Sequence, residues 1–189
     1  MKDLIKNILK ESIRAKETIR DNEVENIAKA ASLIVHSLRS GGKVLVFGNG
    51  GSAADSQHLV AELVGRFKKE RKPLSAIALT TNTSSLTALA NDYGYDVTFS
   101  RQVEALGREG DVAMGISTSG NSKNVIAAIK AAKAIGMKTV CLLGGDGGKL
   151  RRECDVPILV GSKDTPRIQE CHLTICHIIC ELVELEMFK

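Results

Sequence analysis

The stretch Ser117-Thr118-Ser119-Gly120-Asn121-Ser122 gathers four hydroxyls, the peptide N–H groups around Gly120 and the start of a helix into six residues. All of these can donate hydrogen bonds to one dianion, so the stretch reads as a phosphate site. The alternative, a polar turn that merely caps the helix, is disfavoured by the number of donors in one strand-to-helix loop. No lysine is embedded and the spacing is not G-x-x-x-x-G-K-[ST], which argues against a nucleoside triphosphatase. A cradle of neutral hydroxyls suits a sugar phosphate. A second loop, Gly48-Asn49-Gly50-Gly51-Ser52, precedes His58 and Glu62, which stand four residues apart and so share one helical face. A ligand held at this loop lies near that face. Ala53 fills the place of the third glycine in G-x-G-x-x-G, which weakens a dinucleotide reading.

These loops need elements to position them, and hydropathy patterning supplies a set. Val44 to Phe47 is a short apolar run, read as a buried strand before the glycine loop, and Ser52 with Asp55 predicts a capping box that opens the next helix. Further strands are predicted at Leu74 to Leu79, Val112 to Ile116, Thr139 to Leu143 and Val156 to Val160. Between them, helical patterns run to Asn91-Asp92, over Phe99 to Leu106, from Val125 to Ile135 before Gly136, and briefly after Gly144-Gly145-Asp146-Gly147-Gly148. Two helices come first, over residues 3 to 20 and from Val24 to the Gly41-Gly42 stop, with Asp21-Asn22 predicted to break the first. The last helix is predicted to open at Thr165-Pro166, a cap followed by proline. Solid apolar strands alternating with helices predict an α/β fold, a parallel sheet of five strands with helices on both faces. In such sheets ligands bind beyond the carboxyl ends of the strands, where both loops fall.

The chain has 189 residues, 43% of them hydrophobic, which predicts a single domain: a helical lead-in over 1–40 and a sheet core with its final helix over 41–189. Aromatic residues are 3% and tryptophan is absent, so stacking platforms for single-stranded nucleic acid are not expected. The net charge is +4, and the one dense basic run, Lys68-Lys69-Glu70-Arg71-Lys72, reads as a solvated loop. No signal-peptide pattern and no apolar run of membrane-spanning length is found, which predicts a cytoplasmic protein without nucleic-acid or membrane partners. Cys141, Cys154, Cys171, Cys176 and Cys180 are odd in number with no C-x-x-C, so buried reduced thiols are expected instead of disulfides. Cys171-His172, Cys176-His177 and Cys180 do not repeat a known zinc-finger spacing. His36 and His172 read as surface or packing histidines. The final helix is apolar almost all round from Leu173 to Val183, which predicts burial on several sides and packing between subunits, with Gln169 and His177 as polar interruptions.

Four stretches carry a resemblance: G-N-G-G-S-A-A-D-S-Q-H-L-V-A-E-L-V-G-R, A-N-D-Y-G-Y, G-I-S-T-S-G-N-S and R-I-Q-E-C-H-L-T-I-C-H. Together they resemble the bacterial phosphoheptose isomerases over essentially the whole chain. These are sugar isomerase (SIS) domain enzymes that convert sedoheptulose 7-phosphate to D-glycero-D-manno-heptose 7-phosphate, the first step of nucleotide-heptose biosynthesis. The resemblance implies a flavodoxin-like sheet and a homotetramer with active sites between subunits. It implies Glu62 and His177 as the proton-transfer pair, and Asn49, Gly50, Gly51, Asn91 and Asp92 around the sugar. It further implies Ser117, Thr118, Ser119 and Ser122 on the phosphate, Gln169 also on substrate, and a zinc ion on His58, Glu62, Gln169 and His177.

The chemistry matches these residue types. Ketose–aldose interconversion moves a proton between adjacent carbons through an enediol, and a carboxylate with an imidazole can supply the base and the acid. Zinc would polarise the carbonyl or hold the site together. Gln169 and His177 are eight residues apart, about 12 Å of rise in a straight helix, which sets a geometric tension for one shared metal. Two rivals share the loops. One is a non-catalytic SIS-fold regulator that binds a replication initiator, against which the presence of both Glu62 and His177 argues. The other is an isomerase of a different sugar phosphate, which a hydroxyl loop alone does not distinguish.

Overall fold

A computed structural model describes residues 1–189. Two helices lead in, α1 (Lys2–Asn22) and α2 (Val24–Arg39), followed by β1 (Val44–Gly48), α3 (Gly51–Val64), β2 (Ala76–Ala78), α4 (Thr83–Tyr93) and α5 (Ser100–Leu106). Then come β3 (Val112–Ser117), α6 (Lys123–Ile135), β4 (Lys138–Gly144), α7 (Leu150–Glu153), β5 (Val156–Val160) and α8 (Thr165–Met187). All strand pairs are parallel in the order β2-β1-β3-β4-β5. This is the flavodoxin-like order, in which the chain reverses direction across the sheet between β1 and β3.

The central strands are buried on both faces, which is why they read as unbroken apolar runs. Along β1, Val44 and Val46 join one core with α1, α2, α3 and α8, whereas Leu45 and Phe47 join the other with α5, α6 and α7. Phe47 meets Phe99 there at a ring separation of 5.6 Å. At the opposite end of the sheet from the two loops, Asp111 accepts hydrogen bonds from Lys43 N, Lys43 Nζ and Arg108 N, tying β1 to β3.

Several boundaries differ from the sequence expectation. The edge strand β2 is only Ala76–Ala78, because just these residues pair with Val44, Leu45 and Val46; Leu74 still packs into the core, with its N–H on the Leu63 carbonyl. Asp21-Asn22 does not break α1, which runs on to Asn22. The capping box of Ser52 and Asp55 does not form: Gly50, at φ +57°, is the N-cap, so α3 starts earlier and Ser52 is buried inside its first turn. Asp164, not Thr165, stands at the N-cap position of α8, without a side-chain capping bond.

The basic run is not simply solvated, since the Arg71 side chain is 2% exposed against Glu184. The apolar circumference of α8 is met mainly within the chain, where α8 lies beside α1, α2, α3, β4 and β5. All five cysteines are free and buried. No helix is long and apolar enough to cross a membrane.

Candidate active site

The two loops predicted to bind ligand lie on neighbouring strands at the point where the chain reverses. After β1 the chain turns to one face and enters α3; after β3 it turns to the other face and enters α6. A crevice opens between two such loops. Asn49 lines it in a fixed orientation. Its amide donates to Asn124 Oδ1 at 2.9 Å and its Oδ1 accepts from Asn124 Nδ2, also at 2.9 Å. The Tyr95 hydroxyl donates to the same Asn49 oxygen at 3.1 Å. Asn124 is buried, which makes it the anchor of the arrangement.

At Gly51 a Cβ would stand 2.3 Å from Gln169 Nε2, the far end of that side chain. The amide of Gln169 therefore lies directly over the first residue of α3. In the serine loop the Ser117 and Ser122 hydroxyls meet at 2.9 Å, with Ser117 buried and Ser119 exposed. Gly120 has φ +64°, and a Cβ on it would stand 2.0 Å from the Gly147 carbonyl oxygen. Leu150 N donates to the Gly120 carbonyl from the other side, at 3.0 Å. The serine loop and the glycine-rich loop after β4 thus hold each other's shape. Thr118 and Ser119 open onto a cleft of about 670 Å³ that also meets Gly144, Ser162, Lys163 and Thr165.

His58, Glu62 and His177 come together. His58 Nε2 is 2.8 Å from His177 Nε2 and 3.4 Å from Glu62 Oε1, and the Phe67 ring packs on the His177 ring at 5.6 Å. Helices α3 and α8 lie side by side and run the same way, so Gly51 meets Gln169 at one level and His58 meets His177 about two turns further on. Gln169 therefore stands at the level of the loop, eight residues before His177 on α8. Two imidazole nitrogens and a carboxylate are the ligand types of an open zinc site. The 2.8 Å contact is nevertheless a hydrogen-bond distance, shorter than the roughly 3.3 Å expected between nitrogens on one tetrahedral zinc. No three His, Cys, Asp or Glu side chains enclose a metal position as they stand. The donor types fit zinc once the rings part by about half an ångström.

Asn91 and Asp92 are exposed near the end of α4 and bonded to each other at 2.8 Å, and Tyr95, three residues beyond Asp92, donates to Asn49 in the crevice. The sequence reading missed Asn124, Tyr95, Phe67, Arg71, Glu184 and Lys163. Tyr95 closes the quoted A-N-D-Y-G-Y stretch and Asn124 follows two residues after G-I-S-T-S-G-N-S, so both could have been found there. A charged residue at position 184, in the apolar stripe of α8, was the one visible sign of the Arg71 contact.

Comparisons with known proteins agree with this geometry. The SIS domain family model matches residues 9–144. The phosphoheptose isomerase of Clostridium acetobutylicum is 53% identical over 190 residues, covering 100% of this chain and 97% of its own. That of Aquifex aeolicus is 54% identical over 184 residues, covering 97% and 96%. Among solved structures, the phosphoheptose isomerase of Neisseria gonorrhoeae superposes with a TM-score of 0.93 at 47% identity, covering 97% of this chain and 98% of its own. The one from Francisella tularensis gives 0.94 at 40%, covering 97% of each. The fold and its two crevice loops define a SIS-domain protein, and within that class the chain belongs to the phosphoheptose isomerase family.

Proposed function

We propose that this chain isomerises sedoheptulose 7-phosphate to D-glycero-D-manno-heptose 7-phosphate through an enediol. The observation that carries the reading is the meeting of Glu62, His58 and His177 beside a crevice whose other wall is a hydroxyl loop. Ser117, Thr118, Ser119 and Ser122 hold the phosphate, with the N-terminus of α6 behind them. Asn49, Gly50, Gly51, Gln169, Asn91 and Asp92 hold the sugar chain. Glu62 and His177 remove the proton from one carbon, return it to the neighbour, and pass a second proton between the two oxygens. His58, Glu62 and His177 would hold a zinc ion, which would supply Lewis-acid polarisation of the substrate carbonyl. Gln169 completes the expected ligand set and, from beside Gly51, also meets the sugar.

The chain works as a cytoplasmic homotetramer with sites between subunits. Exposed apolar residues on α1 and the 43% exposure of the His58 side chain support that assembly. The presence of both Glu62 and His177 speaks against the regulator that binds a replication initiator. The test is turnover of sedoheptulose 7-phosphate in deuterated water. Glu62→Gln and His177→Ala are each expected to lower kcat by about 10²–10⁴-fold. No turnover by the wild type, with or without zinc, would overturn the heptose reading, and turnover of another ketose phosphate in its place would assign a neighbouring isomerase.

A further inference from the structure

Arg71 and Glu184 form an ion pair that neither the two loops nor the proton-transfer residues account for. Arg71 Nε donates to Glu184 Oε2 at 3.1 Å, with side chains only 2% and 3% exposed. The other face of the guanidinium closes the C-terminus of α3, donating to the carbonyls of Glu62 at 2.7 Å, Leu63 at 2.7 Å and Gly65 at 3.0 Å. Those are carbonyls that a helix end leaves without partners, and a cation there is favoured by the helix dipole. The Glu184 carboxylate also accepts the backbone N–H groups of Phe67 at 3.0 Å, Lys68 at 2.9 Å and Lys69 at 2.6 Å.

The two ends of this clamp belong to the two helices that carry the site. The Glu62 carbonyl is held by Arg71 while its carboxylate faces His58. Glu184 lies seven residues, nearly two turns, beyond His177 on the same side of α8. It also fixes the backbone of Phe67, whose ring packs on His177. We infer that Arg71 and Glu184 are positioning residues that set the separation of α3 from α8, and with it the placing of Glu62 against His177. This rests on the proposed roles of those two residues. A clamp serving stability alone would leave the imidazoles and the turnover of folded protein untouched, whereas a displacement near 1 Å at a reacting group can cost about 10²-fold.

Two variants test it. Glu184→Gln keeps the shape and two acceptor lone pairs but loses the charge. Arg71→Lys keeps the charge but replaces the fork that spans Glu184, the three carbonyls at the end of α3 and the Lys72 carbonyl with a single ammonium. Each is confirmed folded by near-ultraviolet circular dichroism, then assayed beside Glu62→Gln and His177→Ala, and its histidine ring ¹⁵N resonances are recorded. Expected are a kcat lowered about tenfold or more with KM within about twofold, and His58 and His177 resonances displaced while those of exposed His36 stay put. Wild-type kcat or unmoved His58 and His177 resonances in either folded variant overturns the clamp. Should Glu62→Gln and His177→Ala themselves turn over normally, the proton-transfer assignment falls, and the resonances alone then judge the positioning.

Discussion

Asp55 lies one turn before His58, half buried, with its Oδ2 lacking any partner. Burial lifts its carboxyl to about 6, opposed in part by the charge of His58. A carboxyl raised above its unfolded value favours the folded state fully below about 3.8, and that advantage is lost as pH rises through about 6. Asp55→Asn should therefore raise Tm at pH 8, with the gain shrinking as pH falls toward 4, as a thermal melt series would show. The sequence spacing of Ser52 and Asp55 suggests a cap, but Gly50 reaches φ +57° and starts the helix without one. The shared face of His58 and Glu62 was legible because it depends only on the period of a helix. The burial of Arg71 was not, since its partner lies 113 residues away along the chain.

At the scale of elements, α8 carries the most telling group besides His177. His172 is fully buried, and neither ring nitrogen makes a hydrogen bond. Burial lowers its pKa to about 4, and the nearby Leu143 backbone offsets this only partly. A histidine depressed in this way contributes stability above about 6.5, which drains away as pH falls toward 4 and the unfolded chain takes the proton. His172→Leu should flatten the loss of Tm between pH 6.5 and 4 and leave the fold intact at neutral pH. The carboxylate of Glu184 titrates lower still. Desolvation pushes it up, but the N–H groups of Lys69, Lys68 and Phe67 and the Arg71 guanidinium outweigh this and bring it to about 2. The clamp therefore survives acid that protonates ordinary carboxylates. The identity of α8 as a buried helix was clear from its apolar circumference, but which sides meet the sheet and which meet other helices depends on contacts distant in sequence. The short β2 shows the same limit: Leu74 and Leu79 read as strand residues because they are buried, although only three residues pair.

Across the whole molecule, the alternation of apolar strands and helices made the parallel sheet legible, and the strand order followed from the resemblance because pairing is not written in local pattern. What the single chain leaves uncovered is equally informative. Leu4, Ile5, Ile8, Leu9 and Ile13 all project from α1 with between 39% and 62% exposure. Exposed stripes of large apolar side chains are typical of association surfaces. Replacing Leu9 and Ile13 together by Glu should lower the molar mass measured by light scattering toward that of a single chain of 20.3 kDa. Sites that form between subunits would lose activity in the same preparation.

The side-by-side alignment of α3 and α8 carries a consequence for how this protein can change over evolutionary time. Gly51 answers to Gln169, His58 to His177, and the end of α3 to Glu184 through Arg71. The two helices act as matched rulers read against each other. One residue gained or lost inside either span would turn everything beyond it by about 100° around the helix axis and break the later matches while sparing the earlier. Lineages descended from this sequence should accordingly accumulate insertions and deletions in the connecting loops, and keep residues 51–62 and 169–184 at constant length even where the side chains themselves have drifted.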